Sequence, residues 1–158
     1  MTQYWIVVGG KEIFDKTKEL GFTKHGIKST RRKMAQRIQP GDYMAFYISG
    51  YKQFAGMVRV TSEAVTEDTR IWQSSKKPEE LYPHRVGIEP VIILDEADWL
   101  DAEPYHDRFE WTQRWPRERW TLAYQGNLHE ITEQDFEVLK ADMEKAAKKE
   151  AASSRGGS

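Results

Sequence analysis

Six cations, Lys24, Lys28, Arg31, Arg32, Lys33 and Arg37, fall between Leu20 and Gly41, a stretch without a single acid. The whole chain carries a formal net charge of −1, so this is a local bias and not a global one. A positive patch on a near-neutral protein points to a specific anionic partner. Glycines and aromatic residues flank the patch on both sides, the combination that base recognition in nucleic acids requires. For a charge run taken alone, the competing reading is a solvated helix face.

The four histidines, 25, 84, 106 and 129, have no metal-ligand spacing, and there is no cysteine, so neither a thiolate zinc site nor a disulfide is expected. No P-loop, dinucleotide-binding or nucleophile-elbow motif is present; Gly9-Gly10 lacks the third glycine of the second of these. No cofactor is expected. From Asp95 to Glu110 seven acids face one Arg108, a segment that should repel a phosphate backbone and therefore lie away from residues 24–37.

These groups need positioning. The length of 158 residues suits one domain with a real core. Gln3 to Val8 reads as a strand ended by Gly9-Gly10, and Lys11 to Leu20 as a helix with Ile13, Phe14 and Leu20 on its apolar stripe. Ser29 or Thr30 caps a second short helix through Ile38, with Met34 and Ile38 inward. Asp42–Ser49 and Phe54–Ser62 form a hairpin, and Arg85–Leu94 is a strand whose Pro90 marks an edge or a bulge. Residues 95–120 read as short helices and turns. Thr132 and Asp135 resemble a capping box opening a C-terminal helix. The irregular alternation favours an α/β domain of the α+β type on a curved, mainly antiparallel sheet. The domain is expected over residues 1–145, with 146–158 a flexible Ala/Lys/Ser/Gly-rich tail.

The longest apolar run, Val91–Leu94, is too short to span a membrane, and the N-terminus lacks a basic leader region, so a cytoplasmic location is the default expectation; the sequence does not give the oligomeric state, and a monomer is assumed.

Several segments together resemble the EVE domain, a branch of the PUA-like superfamily related to YTH domains. They are Tyr4-Trp5-Ile6-Val7-Val8, His25-Gly26-Ile27-Lys28 with Arg31-Arg32-Lys33, Pro40-Gly41-Asp42 with Phe46-Tyr47, Gly56-Met57-Val58, Ile71-Trp72, Tyr82-Pro83-His84-Arg85-Val86 and Gln125-Gly126-Asn127-Leu128. Their order and spacing over residues 3–140 carry the match. The resemblance implies a PUA-like barrel flanked by helices, with a pocket beside a basic surface that accepts a flipped, modified base (a modified cytosine or N6-methyladenine) from DNA or RNA. Where many EVE sequences have Lys-Ser-Glu-Pro, this chain has Val8-Gly9-Gly10-Lys11; where many have Trp-Asp-Gly, it has Lys24-His25-Gly26.

The expected pocket residues are Gly9, Gly10, His25, Gly26, Tyr47, Ser49, Trp72, Gln125 and Asn127. Period-2 alternation puts Tyr47 and Ser49 on one face, Trp72 in its polar surroundings is a stacking candidate, and the amides of Gln125 and Asn127 suit base edges. Lys28, Arg31, Arg32, Lys33 and Arg37 are the phosphate candidates. The packing reading stands beside each: a structural histidine, a core tryptophan, a plain turn. Two alternatives remain. Gly26-Ile27-Lys28 partly resembles the ASCH amidohydrolase pattern, with Arg31 where that pattern has its glutamate, or the basic patch serves a small anion or metabolite.

Overall fold

The computed structural model describes the backbone of residues 1–156 and the side chains of residues 1–152. Eight strands curl into one sheet in the order β2-β6-β4-β3-β1-β8, with β5 added to β6 and β7 to β4. The strands are β1 (Tyr4–Gly9), β2 (Lys24–Ile27), β3 (Tyr43–Ile48), β4 (Gln53–Val60), β5 (Val65–Thr66), β6 (His84–Ile93), β7 (Leu100–Asp101) and β8 (Leu128–Ile131). The helices are α1 (Lys11–Glu19), α2 (Arg32–Ala35) and α3 (Glu133–Gly156), and 3₁₀ turns fill much of the segment from 96 to 124. The result is the mixed α+β curled half-barrel expected from the sequence.

Among the described strands only β1 and β3 run parallel, joined by a crossover through α1, so their C-terminal ends lie level, Val8 opposite Tyr47 and Gly9 opposite Ile48. The β3–β4 hairpin forms as expected. The proline of β6 sits at a bulge: Met57 pairs with Ile92 and Val58 with Pro90, leaving Val91 as the extra, exposed residue. Phe46, Phe54, Trp5, Leu128, Phe136 and Leu139 lie in the core between sheet and helices. No helix among the described residues is long and apolar enough to cross a membrane.

Four local expectations change. The second helix is short and has no side-chain cap: it spans Arg32–Ala35 behind a 3₁₀ turn at Ser29–Arg31, and the Ser29 hydroxyl donates to Glu80 at 2.9 Å instead of capping it. Met44 to Ile48 are all buried, because α1 packs on one face of β3 and Tyr124 of the 3₁₀ segment on the other, so period-2 alternation does not sort this strand into core and pocket faces. The capping box is half formed: Thr132 Oγ1 accepts the Asp135 N–H at 3.1 Å, but the Asp135 carboxylate turns away to accept the N–H groups of Glu110 and Trp111, each at 2.9 Å. Helix α3 also continues into the segment read as a tail. Ala146 and Ala147 pack on the core, and Glu150 accepts the Asp95 N–H, so the backbone is helical to Gly156. The last two residues of that segment, 157 and 158, lie outside the described residues.

A cleft at the ends of the parallel strands

A cleft of about 410 Å³ opens where β1 and β3 end and α1 begins. Gly9 and Gly10 form one lip, Ser49 and Gly50 another, and Gly126 a third. Gly10 takes the N-cap position of α1 without a side-chain cap, so the helix starts with backbone N–H groups at the cleft. The remaining wall comes from Val8, Ile13 and Lys28, from Glu12, whose carboxylate accepts the Ser75 N–H at 2.9 Å, and from the loop carrying Ser74, Lys76, Lys77 and Tyr82. Lys28, Lys76 and Lys77 make no ion pair among the described residues. Lys11, also on the lip, is held by Asp15 at 2.8 Å and by Glu96 at 3.5 Å. The acidic segment is thus not wholly remote, since Glu96 reaches the mouth of the cleft.

Two buried polar residues hold the walls in place. Asn127 Nδ2 donates to Val8 O at 2.7 Å while its Oδ1 accepts the Lys28 N–H at 2.8 Å, tying β1, β2 and the 125–127 turn together. Glu80 accepts the N–H and the hydroxyl of Ser29 and the N–H of Tyr82. Burial alone would raise the Glu80 pKa, but those hydrogen bonds and the Lys28 charge outweigh it and hold the carboxyl below its ordinary value. Tyr82, pinned by Glu80, adopts a φ of +49°, rare for a residue with a Cβ.

Of the sequence-predicted residues, Gly9, Gly10, Ser49 and Lys28 line the cleft. His25 and Tyr47 lie just beneath it, around a crevice behind Gly9-Gly10. His25 is in strand β2, and its burial lowers its pKa to about 3; burial pushes Tyr47 up to about 12. Trp72 is fully buried and stands behind the wall: its Nε1 donates to Thr17 Oγ1 at 3.0 Å, and Arg85 sits over its ring. Gly26 is a packing glycine, since a Cβ there would come within 2.8 Å of Trp72 and 2.7 Å of Tyr82. Asn127 uses its amide on backbone groups, and Gln125 is exposed beside it. Tyr82 is the one aromatic residue lining the cleft.

The basic segment divides. The Arg31 guanidinium lies over Gly126 at the edge of the cleft, and Arg32 and Lys33 are exposed. Arg37, at the far end of β8, pairs with Glu130 and sits over the Trp5 ring, 5.6 Å from its centre. Sequence reasoning passed over Lys76, Lys77, Tyr82 and Glu80; the Ser-Ser-Lys-Lys run just after Trp72 was the signal for the lysines. Among the described residues one trio of acids, Asp95, Asp98 and Glu150, comes close enough to share a cation, and it is not part of the cleft lining.

The family assignment follows from the match of the EVE domain over residues 3–141. The chain belongs to the EVE domain family. The UPF0310 protein PH1033 of Pyrococcus horikoshii is 23% identical over 147 residues, covering 87% of this chain and 96% of that protein. Among solved structures, the YTH domain-containing protein mmi1, determined as an RNA complex, superposes with a TM-score of 0.68 at 13% identity, over 96% of this chain and 87% of that one. Human THYN1, determined with DNA containing 5-methylcytosine, gives 0.57 at 15% identity, over 89% and 99%. At these identities the structural likeness is one of fold, and the fold is shared with YTH domains.

Proposed function

We propose that this EVE domain is a non-catalytic nucleic-acid-binding module that takes a modified base into the cleft at the ends of β1 and β3. The carrying observation is the cleft itself. Three lysines from two separate segments surround it without an ion pair among the described residues, on a protein of nearly neutral charge, and Glu12 is the one acid in its lining. Its volume falls within the roughly 300–1,000 Å³ span of ligand pockets. Bare backbone at Gly9 and Gly10 leaves room for a flat ring to approach closely. Lys28, Lys76, Lys77 and Arg31 then hold the flanking phosphates, and Tyr82 offers a face for stacking. Extruding a base costs a few kcal/mol, and one stacking contact of about 1–3 kcal/mol with the phosphate contacts offsets it. The RNA and methylated DNA held by mmi1 and THYN1 in their solved complexes support the same partner class.

The amidohydrolase alternative rests on Lys28 with a carboxylate partner. The carboxylate that feels the Lys28 charge is Glu80, and its oxygens already accept from Ser29 and Tyr82, which suits a clip better than an acid/base. Binding is tested by fluorescence anisotropy against matched DNA and RNA, single- and double-stranded, unmodified or carrying 5-methylcytosine, 5-hydroxymethylcytosine or N6-methyladenine. A preference of tenfold or more for one modification is expected. Indifferent binding displaced by simple phosphate would favour the small-anion reading.

A further inference from the structure

A second depression, of about 570 Å³, lies at the far end of β8 from the cleft, between Glu130, Ile131 and Thr132 and the Glu110, Trp111 and Arg114 side chains of the 3₁₀ region. β8 ends the sheet and pairs only with β1 among the described strands. The floor is apolar and fixed in place. Trp111 and Ile131 are each 7% exposed. The Trp111 ring packs against His129 at 5.3 Å and edge-on to Tyr124 at 5.0 Å between ring centres, and its backbone N–H is held by the Asp135 carboxylate at 2.9 Å.

The charge on the rim is mixed. Glu130 is engaged by Arg37. Arg114 rests over the Trp115 ring, 5.4 Å from its centre, and neither Arg114 nor Glu110 makes an ion pair among the described residues. A free carboxylate disfavours a phosphate but accepts well from the exocyclic amino group of a base, as acidic side chains do from cytosine. The depression is also continuous with the cleft in charge. Arg31 lies over Gly126 at the cleft edge. Burial lowers the His129 pKa, and the charges of Arg31 and Arg114 lower it further, so both guanidiniums lie near this one residue of β8. From Gly126 to Glu130 an extended backbone spans about 13 Å, a gap that a few nucleotides bridge.

We infer that the depression over Trp111 is a second base subsite, which takes an amino-bearing base, cytosine or adenine, from the same single strand a few nucleotides away from the base in the cleft. Its ring lies on the Trp111–Ile131 floor, its amino group donates to Glu110, and Arg31 and Arg114 hold the phosphates that run between the two subsites. Thymine and uracil present a carbonyl oxygen where these bases carry the amino group, and that oxygen faces the Glu110 carboxylate unfavourably. This rests on the cleft being the first base site. The strand then runs along β8, over the surface that separates the cleft from the acidic residues beyond it.

The test measures the affinity of the full chain for single-stranded DNA and RNA with the tightest-binding base of the panel at the centre and cytosine at the flanking positions. Each flanking nucleotide in turn is made abasic, which removes the base and keeps the phosphate. One position, on one side of the centre only, should weaken binding at least fivefold, the scale of one stacking contact. Thymine or uracil there should weaken it severalfold, and Glu110→Gln should bring the ratio of cytosine to thymine close to one. Arg114→Ala should shrink the abasic penalty, whereas a merely structural role would lower every affinity alike and leave the penalty unchanged. The abasic scan uses the unaltered protein, so the inference stays testable if a variant folds poorly. Central-base binding with no sensitive flanking position, or an abasic penalty that survives Arg114→Ala in full, overturns the second subsite and leaves the cleft reading standing. Failure of every oligonucleotide to bind overturns both.

Discussion

The two ends of β8 carry basic residues of opposite character. At the Gly126 end, Arg31 lies over Gly126, and Lys28, Lys76 and Lys77 line the cleft without an ion pair among the described residues. At the Glu130 end, Arg37 is neutralised by Glu130, packed over Trp5, and has its carbonyl taken by Gln3 Nε2. One contiguous run in the sequence has cations without ion pairs among the described residues at one end and a structural brace at the other. Net charge along the chain does not distinguish these, because what matters is whether the fold supplies a counter-ion.

The largest expected effect separates the two ends directly. Replacing Lys28, Lys76 and Lys77 together by Ala should lower the slope of log affinity against log salt by about 2 and weaken binding about a hundredfold near 0.1 M salt, at about 0.7–0.9 per phosphate contact. Arg37→Ala, measured in the same titration, should leave the slope where it is. Next in size, Asn127→Ala leaves the Lys28 N–H and Val8 carbonyl without their side-chain partner and should cost about 2 kcal/mol in urea unfolding. Gly26→Ala forces a methyl into Tyr82 and Trp72 and should cost about 1–3 kcal/mol while displacing the cleft wall.

Acid should act on the interior next to the cleft and along β8. Burial lowers His25 to about 3, and burial, with help from Arg31 and Arg114, lowers His129 to about 4, against an ordinary 6.5. Between pH 6.5 and 4 the unfolded chain therefore binds more protons than the folded one. The contribution is fully present above pH 6.5 and is lost as pH falls, by up to about 1.4 kcal/mol per pH unit for each histidine. His25→Phe should flatten that acid limb in thermal melts taken across the window. The smallest effect belongs to the brace: Arg37→Ala should change stability by less than about 1 kcal/mol, since both partners of its ion pair are solvent-exposed.

Much of the fold was legible because it is written locally. The aromatic and β-branched run at Tyr4–Val8, the hairpin around Gly50, the bulge at Pro90 and the Thr132 cap each depend on neighbours in sequence. The cleft was legible only in part. Gly9, Gly10, Ser49 and Lys28 were readable as loop and turn residues at strand ends. The clamps were not: Asn127 bonds to Val8 across 119 residues and to Lys28 across 99, and Glu80 reaches Ser29 across 51. No local pattern encodes which loop closes over which strand end, so Lys76, Lys77 and Tyr82 were not placed at the cleft. Trp72 misled in the other direction. Polar neighbours in sequence suggested exposure, while Gly26, Tyr82 and Thr17 enclose it in space.

The most direct measurement is an amide NMR titration with the tightest-binding oligonucleotide from the affinity panel. The account predicts the largest shifts at Gly9, Gly10, Ser49, Gly126 and the Ser74–Tyr82 loop, with little change at Arg37. Shifts confined to Arg32, Lys33 and the outer side of β8, with the cleft silent, would contradict it.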